Sequence, residues 1–290
     1  MALELATDDL HVEILPGAGG RIQRVRDRRF DRELLYQRPV PLPQGPSDDY
    51  LAATTGGWDV LFPNDEPWRG HPDHGRLWTT PMTAVAQRPT AIELRAVLLD
   101  PAVDMARRVM LLDPPRVGVR EELTILARED SDPFLVAPHP MLAVEAGWTI
   151  QLGSAPRDVA ADVDFPGRFQ PGQSLGEGEW REASVVPPDS PSVVEVLYVD
   201  GVQSGELASP DGSRRTRVSW DAHWLPHLWI CTITGLAEHG SFVLLEPCTS
   251  RPYRLDEAIR AGTAVSLRAG TRWSAWTEVE SLDAASSPAG

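Results

Sequence analysis

Lysine is missing altogether from this chain of 290 residues, so every basic side chain other than histidine is arginine. That absence removes Schiff-base catalysis and any lysine general base, because both need an ε-amine. It also removes a P-loop, whose grip on phosphate needs its lysine. Cysteine is scarce: Cys231 and Cys248 are the only two. Two thiols cannot make a structural zinc site alone or a disulfide framework, and they read as buried side chains. No apolar run approaches the ~20 residues of a membrane span. The opening Met1-Ala2-Leu3-Glu4-Leu5 brings acid early and has no signal-type apolar stretch. A cytoplasmic protein is the expectation. Positive charge is also in deficit, with a formal net charge of -15. Such a chain repels phosphate backbones and anionic lipid, so neither nucleic acid nor a membrane surface is an expected partner.

What is present suits many short strands. Proline (27) and glycine (23) are spread along the whole chain and cut it into short segments. Strand character is read at 11–15, 81–86, 91–98, 105–112, 117–126, 134–144 and 193–199, and again at 215–220, 228–233, 241–246, 263–267 and 273–279. Turn signals separate them, as at Asp113-Pro114-Pro115. The expected fold class is therefore all-β, a large antiparallel β-sandwich. Leu255 to Ala261 reads as a short helix, and Arg157 to Pro191 as a long loop. A single sandwich domain is expected over 1–282, with a flexible tail over 283–290; sandwiches of this length are common.

Three places could carry chemistry. Strand alternation puts Phe242, Leu244 and Glu246 on one face. A carboxylate there must be paired, protonated or at a cavity mouth, and desolvation moves its pKa toward the range of a general base. An edge glutamate whose strand ends at Pro247 has the same pattern. His139 shares a face with Leu135, Ala137, Met141 and Ala143, held stiffly between Pro138 and Pro140. Its imidazole suits proton transfer near neutrality, although a histidine satisfied within the core fits the same position. The third place runs from Gly56-Gly57-Trp58-Asp59 through Asn64 to His74-Gly75-Arg76-Leu77-Trp78. Indole faces stack on the apolar sides of sugar rings, while Asn, Asp, Arg and His bond hydroxyls. His71-x-x-His74 with Asp73 also has ligand types that zinc or iron accept. The short spacing, the lack of a helical pattern and Pro72 argue against that use, so no metal is expected.

Taken in order, these segments resemble the aldose 1-epimerase, or galactose mutarotase-like, superfamily. The resemblance begins at Leu15-Pro16-Gly17-Ala18-Gly19-Gly20-Arg21-Ile22 and Arg32-Glu33-Leu34-Leu35. It continues through Gly56-Gly57 to Phe62-Pro63-Asn64, then His74-Gly75-Arg76, His139-Pro140 and Glu246-Pro247-Cys248-Thr249. It closes on Leu267-Arg268-Ala269-Gly270-Thr271-Arg272-Trp273, and so covers nearly the whole chain. The resemblance implies a supersandwich with a sugar in a cleft on one face. The implied activity is interconversion of sugar anomers with no cofactor. Carried over by position, Glu246 is the base at the C1 hydroxyl and His139 the acid at the ring oxygen. His74, Arg76, Asn64, Asp59, Trp58 and Asp200 are the implied substrate-binding residues. The sequence departs from the pattern twice. Arginine follows His74-Gly75 directly, where relatives acting on hexose 6-phosphates have a longer motif. Asp200 sits in a poor match to the substrate-binding aspartate, for which Asp59 or Asp221 could substitute. A carbohydrate-binding protein without catalysis is the alternative that the same fold allows. The expected partner is one small sugar, and a monomer or a homodimer is equally open.

Overall fold

The computed structural model describes residues 1–41, 49–165, 167–236 and 240–283. The chain begins with β1 Leu3–Ala6, β2 Leu10–Leu15, β3 Arg21–Asp27, β4 Arg32–Glu33, β5 Trp58–Leu61 and β6 Thr83–Arg88. Next come β7 Ala91–Leu99, β8 Ala102–Leu111, β9 Val117–Ala127, β10 Ala137–Ala143, β11 Thr149–Leu152 and β12 Asp158–Phe165. The last six are β13 Val193–Asp200, β14 Ser204–Ala208, β15 Arg215–Trp220, β16 His227–Leu236, β17 Gly240–Cys248 and β18 Arg272–Leu282. Short helices intervene: α1 Tyr50–Ala53, α2 Glu177–Ala183 and α3 Leu255–Ala261.

Among the described residues the strands form two sheets. One runs β1-β2-β3-β5-β10-β17-β16-β13-β12, with β4 beside β3; the other runs β11-β14-β15-β18-β9-β8-β7-β6. Every pairing of these strands is antiparallel, as in β16 on β17 and β9 on β18. The architecture is thus the large antiparallel sandwich that the turn-punctuated sequence suggests.

Alternation decides which side chains enter the space between the sheets. Val60, Leu142, Val243 and Leu245 point inward and meet Leu94, Leu123 and Trp273 of the second sheet in the main core. Their chain neighbours Leu61, Met141, Leu244 and Glu246 therefore point to the outer face of the first sheet. That outer face carries two smaller apolar clusters, one around Trp229 and Tyr198 and one around Met141, Phe242 and Leu244. A sheet apolar on both faces needs something to cover the second one. Here α1, the chain around residues 64–78 and the stretch before α3 lie over it.

Two expectations about segments are corrected. Residues 157–191 are not mainly loop: β12 pairs with β13 along its length, and α2 lies within the stretch. The strand signal is faint because Val159-Ala160-Ala161 is short and small, and a bulge follows between Ala161 and Val163. In α2, Glu179 accepts from the backbone N–H of Gly176 at 2.8 Å, and Arg181 pairs with Glu177 at 2.9 Å. Conversely, 263–267 forms no strand, only a single bridge between Val265 and Phe134. The expected tail lies outside the described residues except for Asp283, which pairs with Arg29 at 2.8 Å. No helix among the described residues is long and apolar enough to cross a membrane.

Candidate functional site

Register builds the site. In the pairing of β10 with β17, Met141 faces Leu244 and Ala143 faces Phe242. Two residues back along β10, the same register brings His139 level with Glu246. On its other side His139 is paired with Asp59 of β5, and Glu246 is paired with Trp229 of β16. One row across four strands thus reads Asp59, His139, Glu246, Trp229, all on the outer face. His139 Nε2 lies 3.6 Å from Glu246 Oε1, and both side chains are almost fully buried. The two residues, 107 positions apart by subtraction of their numbers, meet on that face.

They close one end of a cavity of about 200 Å³. The outer face of the first sheet supplies Met141, Val196, Trp229, Cys231, Ile233, Phe242 and Leu244 to its lining, and the covering chain supplies Tyr50, His74 and Tyr253. The volume is below the roughly 300–1,000 Å³ of drug-sized pockets, a scale that suits one small ring. Neither arginine nor any other permanent cation lines it among the described residues.

His74 is delivered by a strained turn. Its backbone is left-handed (φ 58°), and Gly75 follows at φ 69°. A Cβ on Gly75 would stand 1.9 Å from the carbonyl oxygen of Phe62, so only glycine fits. A left-handed backbone on a non-glycine residue costs of order 1–3 kcal/mol and marks places the surroundings over-determine. Those surroundings are Asp73, whose Oδ1 lies 2.9 Å from His74 Nδ1, and Asp65, at 3.3 Å. Tyr50 stacks on the imidazole at 4.0 Å between centroids, and its backbone N–H donates to Asp73 at 2.7 Å.

The electrostatics separate the two histidines. Burial works against a charge on His74, but Asp65 and the hydrogen bond and charge of Asp73 outweigh it and hold its pKa above the ordinary value. His139 goes the other way, pushed well down by burial, then by charged His74 and Arg21. Burial, with Asp65 second, pushes Glu246 well above the usual carboxylate range. Burial also raises Asp65 to about 6, with His74 opposing. The surroundings thus favour charge on His74 and oppose it on His139 and on Glu246.

The remaining expected binding residues are placed elsewhere. Trp58 is fully buried between the sheets, because its neighbour Asp59 takes the opposite face. Asp59 sits beneath the cavity wall, paired with Arg21 at 2.8 Å and accepting from the Tyr50 hydroxyl at 2.8 Å. Asn64 is buried and donates to the carbonyls of Glu66 and Pro72, each at 2.8 Å, tying the covering loop to itself. Arg76 is exposed and donates to the Gly70 carbonyl at 3.1 Å. Asp200 is held at the end of β13 by His227 and Arg251, each at 2.7 Å. Asp221 accepts from the His223 backbone N–H within a turn. None of these six lines the cavity.

The sequence reading missed Tyr50, Asp65, Trp229 and Tyr253 as site residues. Alternation places Trp229 with Cys231 and Ile233 once β16 is known to pair with β17; the covering residues give no comparable signal. The metal alternative also shifts. His71 stacks on Trp68 and lies 3.7 Å from Asp100, away from His74. Among the described residues, the side chains close enough to share an ion are Asp65, Asp73 and His74, whose donor atoms lie within 4.8 Å of one another.

No family model matches the sequence, and no curated protein matches it. Solved structures do match. The Slr1438 protein from Synechocystis sp. PCC 6803 superposes with a TM-score of 0.71 at 18% identity, covering 98% of this chain and 96% of that one. A galactose mutarotase-like protein from Lactobacillus casei ATCC 334 gives 0.71 at 14% identity, covering 97% and 100%. A galactose mutarotase related enzyme from Lactobacillus acidophilus gives 0.69 at 13%, covering 99% of each chain. The fold is the galactose mutarotase-like supersandwich. At these identities the likeness concerns the galactose mutarotase-like fold alone, and the chemistry rests on the side chains of this chain.

Proposed function

We propose that the protein is a sugar 1-epimerase that exchanges anomers by acid–base ring opening in the cavity that Glu246 and His139 line. The observation that carries this reading is the meeting of a carboxyl and an imidazole, 3.6 Å apart and buried, at the end of a ring-sized cavity. Opening a hemiacetal needs a proton taken from the C1 hydroxyl while another is given to the ring oxygen. Closing on the other face of C1 reverses both transfers, so the pair must hold one proton between its two members throughout. The opposite pKa shifts of Glu246 and His139 favour that state over a wide pH range. Trp229 and Phe242 offer apolar faces to a ring, and His74 with Tyr253 offers donors to its hydroxyls. With Asp65, Asp73 and Glu246 in the lining and, among the described residues, no arginine, an uncharged sugar fits better than a phosphorylated one.

Polarimetry of freshly dissolved α-anomers over a panel of aldoses tests the reading. At least one sugar is expected to equilibrate faster with enzyme than in buffer, and Glu246→Gln to lose that acceleration while still binding. Sugar binding without exchange in the wild-type protein would move the assignment to a carbohydrate-binding role on the same fold. Neither binding nor exchange for any sugar would remove both.

A further inference from the structure

The sheet beneath the cavity changes character along its strands. The first row holds His139, Glu246 and Trp229, level with one another across β10, β17 and β16. Two residues further along, roughly 6–7 Å away, the second row reads Met141, Leu244, Cys231 and Val196. The third row adds Phe242 and Ile233. All of these line the cavity. Met141, Ile233, Phe242 and Leu244 belong with Tyr50 to one apolar cluster, against which Leu51 packs from α1. Among the described residues, the thiol of Cys231 is the one polar group that the second and third rows bring to the lining, and a thiol is a weak donor.

The polar side chains of the cover gather over the first row. His74 meets His139 edge to face at 5.3 Å between centroids, with Asp73 and Asp65 at 2.9 and 3.3 Å from its Nδ1. Tyr253 meets Trp229 in the same way at 6.2 Å. Both are direct ring contacts. A sugar ring standing between such partners would need two contacts of about 3.5–4.0 Å each, and there is no room for it. The Tyr50 hydroxyl is already engaged by Asp59 at 2.8 Å. A pyranose that presents C1 and O5 to Glu246 and His139 therefore extends its body over the second and third rows.

We infer that the cavity selects a deoxygenated aldopyranose, with hydrogen or methyl in place of a hydroxyl or hydroxymethyl group at C3, C4 or C6, and that Met141, Leu244 and Phe242 set this preference. The substrate class rests on the ring-opening function proposed above. C1 and O5 are neighbours in the ring, so the C3–C4 edge lies opposite them and is carried onto the apolar rows. A hydroxyl there leaves water and finds no partner of comparable strength, which weakens binding. A hydrogen or methyl there takes apolar surface out of water against Met141, Leu244 and Phe242, which strengthens it. The hydroxyl on C2, beside C1, stays near His74 and Tyr253, where donors are at hand.

The test compares glucose and galactose with their 3-, 4- and 6-deoxy forms, and with 2-deoxyglucose as the arm beside C1. Anomer exchange is read by NMR saturation transfer, and binding of the same sugars by titration calorimetry. At least one 3-, 4- or 6-deoxy sugar is expected to exceed its parent in kcat/KM and in affinity by about tenfold or more, whereas 2-deoxyglucose gains nothing over glucose. Met141→Gln sets an amide in the second row at nearly unchanged volume, and is expected to shrink the ratio of deoxy sugar to parent. A parent hexose that exchanges and binds as well as all of its deoxy forms overturns the inference and leaves the proposed function standing. A ratio unchanged in the folded variant also overturns it; if Met141→Gln does not fold, the wild-type panel decides alone. Tighter binding of the deoxy forms with no exchange of any sugar supports the selectivity and contradicts the proposed function instead. No binding of any sugar overturns both.

Discussion

At the scale of single residues, the account turns on two groups kept out of their ordinary protonation states by burial. Glu246 has a folded pKa above its unfolded one, so it stabilises the fold below the ordinary carboxylate range. That contribution is lost as pH rises toward the raised value. Glutamine does not titrate. The melting temperature of Glu246→Gln should therefore exceed that of the wild type by a margin that grows from pH 5 to pH 9, measured by calorimetry. His139 is depressed, so its contribution is present above the ordinary histidine value and is lost as pH falls through the lowered one. Together the shifts predict a broad plateau in kcat against pH. Its acid limb lies below the usual histidine range and its alkaline limb above the usual carboxylate range. A narrow bell centred near pH 6 would contradict the buried pair. Glu246 and His139 could be found in the sequence because alternation alone put each on an apolar face. Two of their neighbours in the site could not: Asp65 and Tyr50 come from the chain that covers the sheet, where no period constrains a side chain.

At the scale of elements, the site is a product of strand register plus one turn. β5 shows the limit of motif reading: Trp58 and Asp59 are neighbours, and a pleated strand cannot send both to one cavity. β17 shows its strength, since Phe242, Leu244 and Glu246 all line the cavity. The turn at His74-Gly75 is the element most sensitive to change. Gly75→Ala would drive a methyl into the Phe62 backbone and strain a left-handed residue. We expect it to cost at least about 1–3 kcal/mol in urea unfolding, and to weaken sugar binding by displacing His74. A variant as stable as the wild type would show that the turn has another accessible geometry. The strand β12 and helix α2 were illegible for a different reason: small residues, a bulge and interspersed Pro and Gly erase the periodicities on which reading depends.

At the scale of the whole molecule, the sandwich was legible because so many short strands between turns leave few alternatives, and the two sheets share one continuous core. Charge acts at this scale too. A net charge of -15, together with a cavity lined by Asp65, Asp73 and Glu246 and, among the described residues, by no arginine, opposes a dianionic substrate. Hexose 6-phosphates should therefore compete more weakly than the parent hexoses in titrations at low salt. Equal or tighter binding of the phosphate would contradict the charge argument. The most direct measurement is a crystal structure of the protein soaked with a mixture of monosaccharides. The account predicts one pyranose in the cavity, its C1 hydroxyl and ring oxygen each within hydrogen-bond reach of a different member of the Glu246–His139 pair. A sugar bound with C1 turned away from both groups, or bound only at another surface, would contradict it.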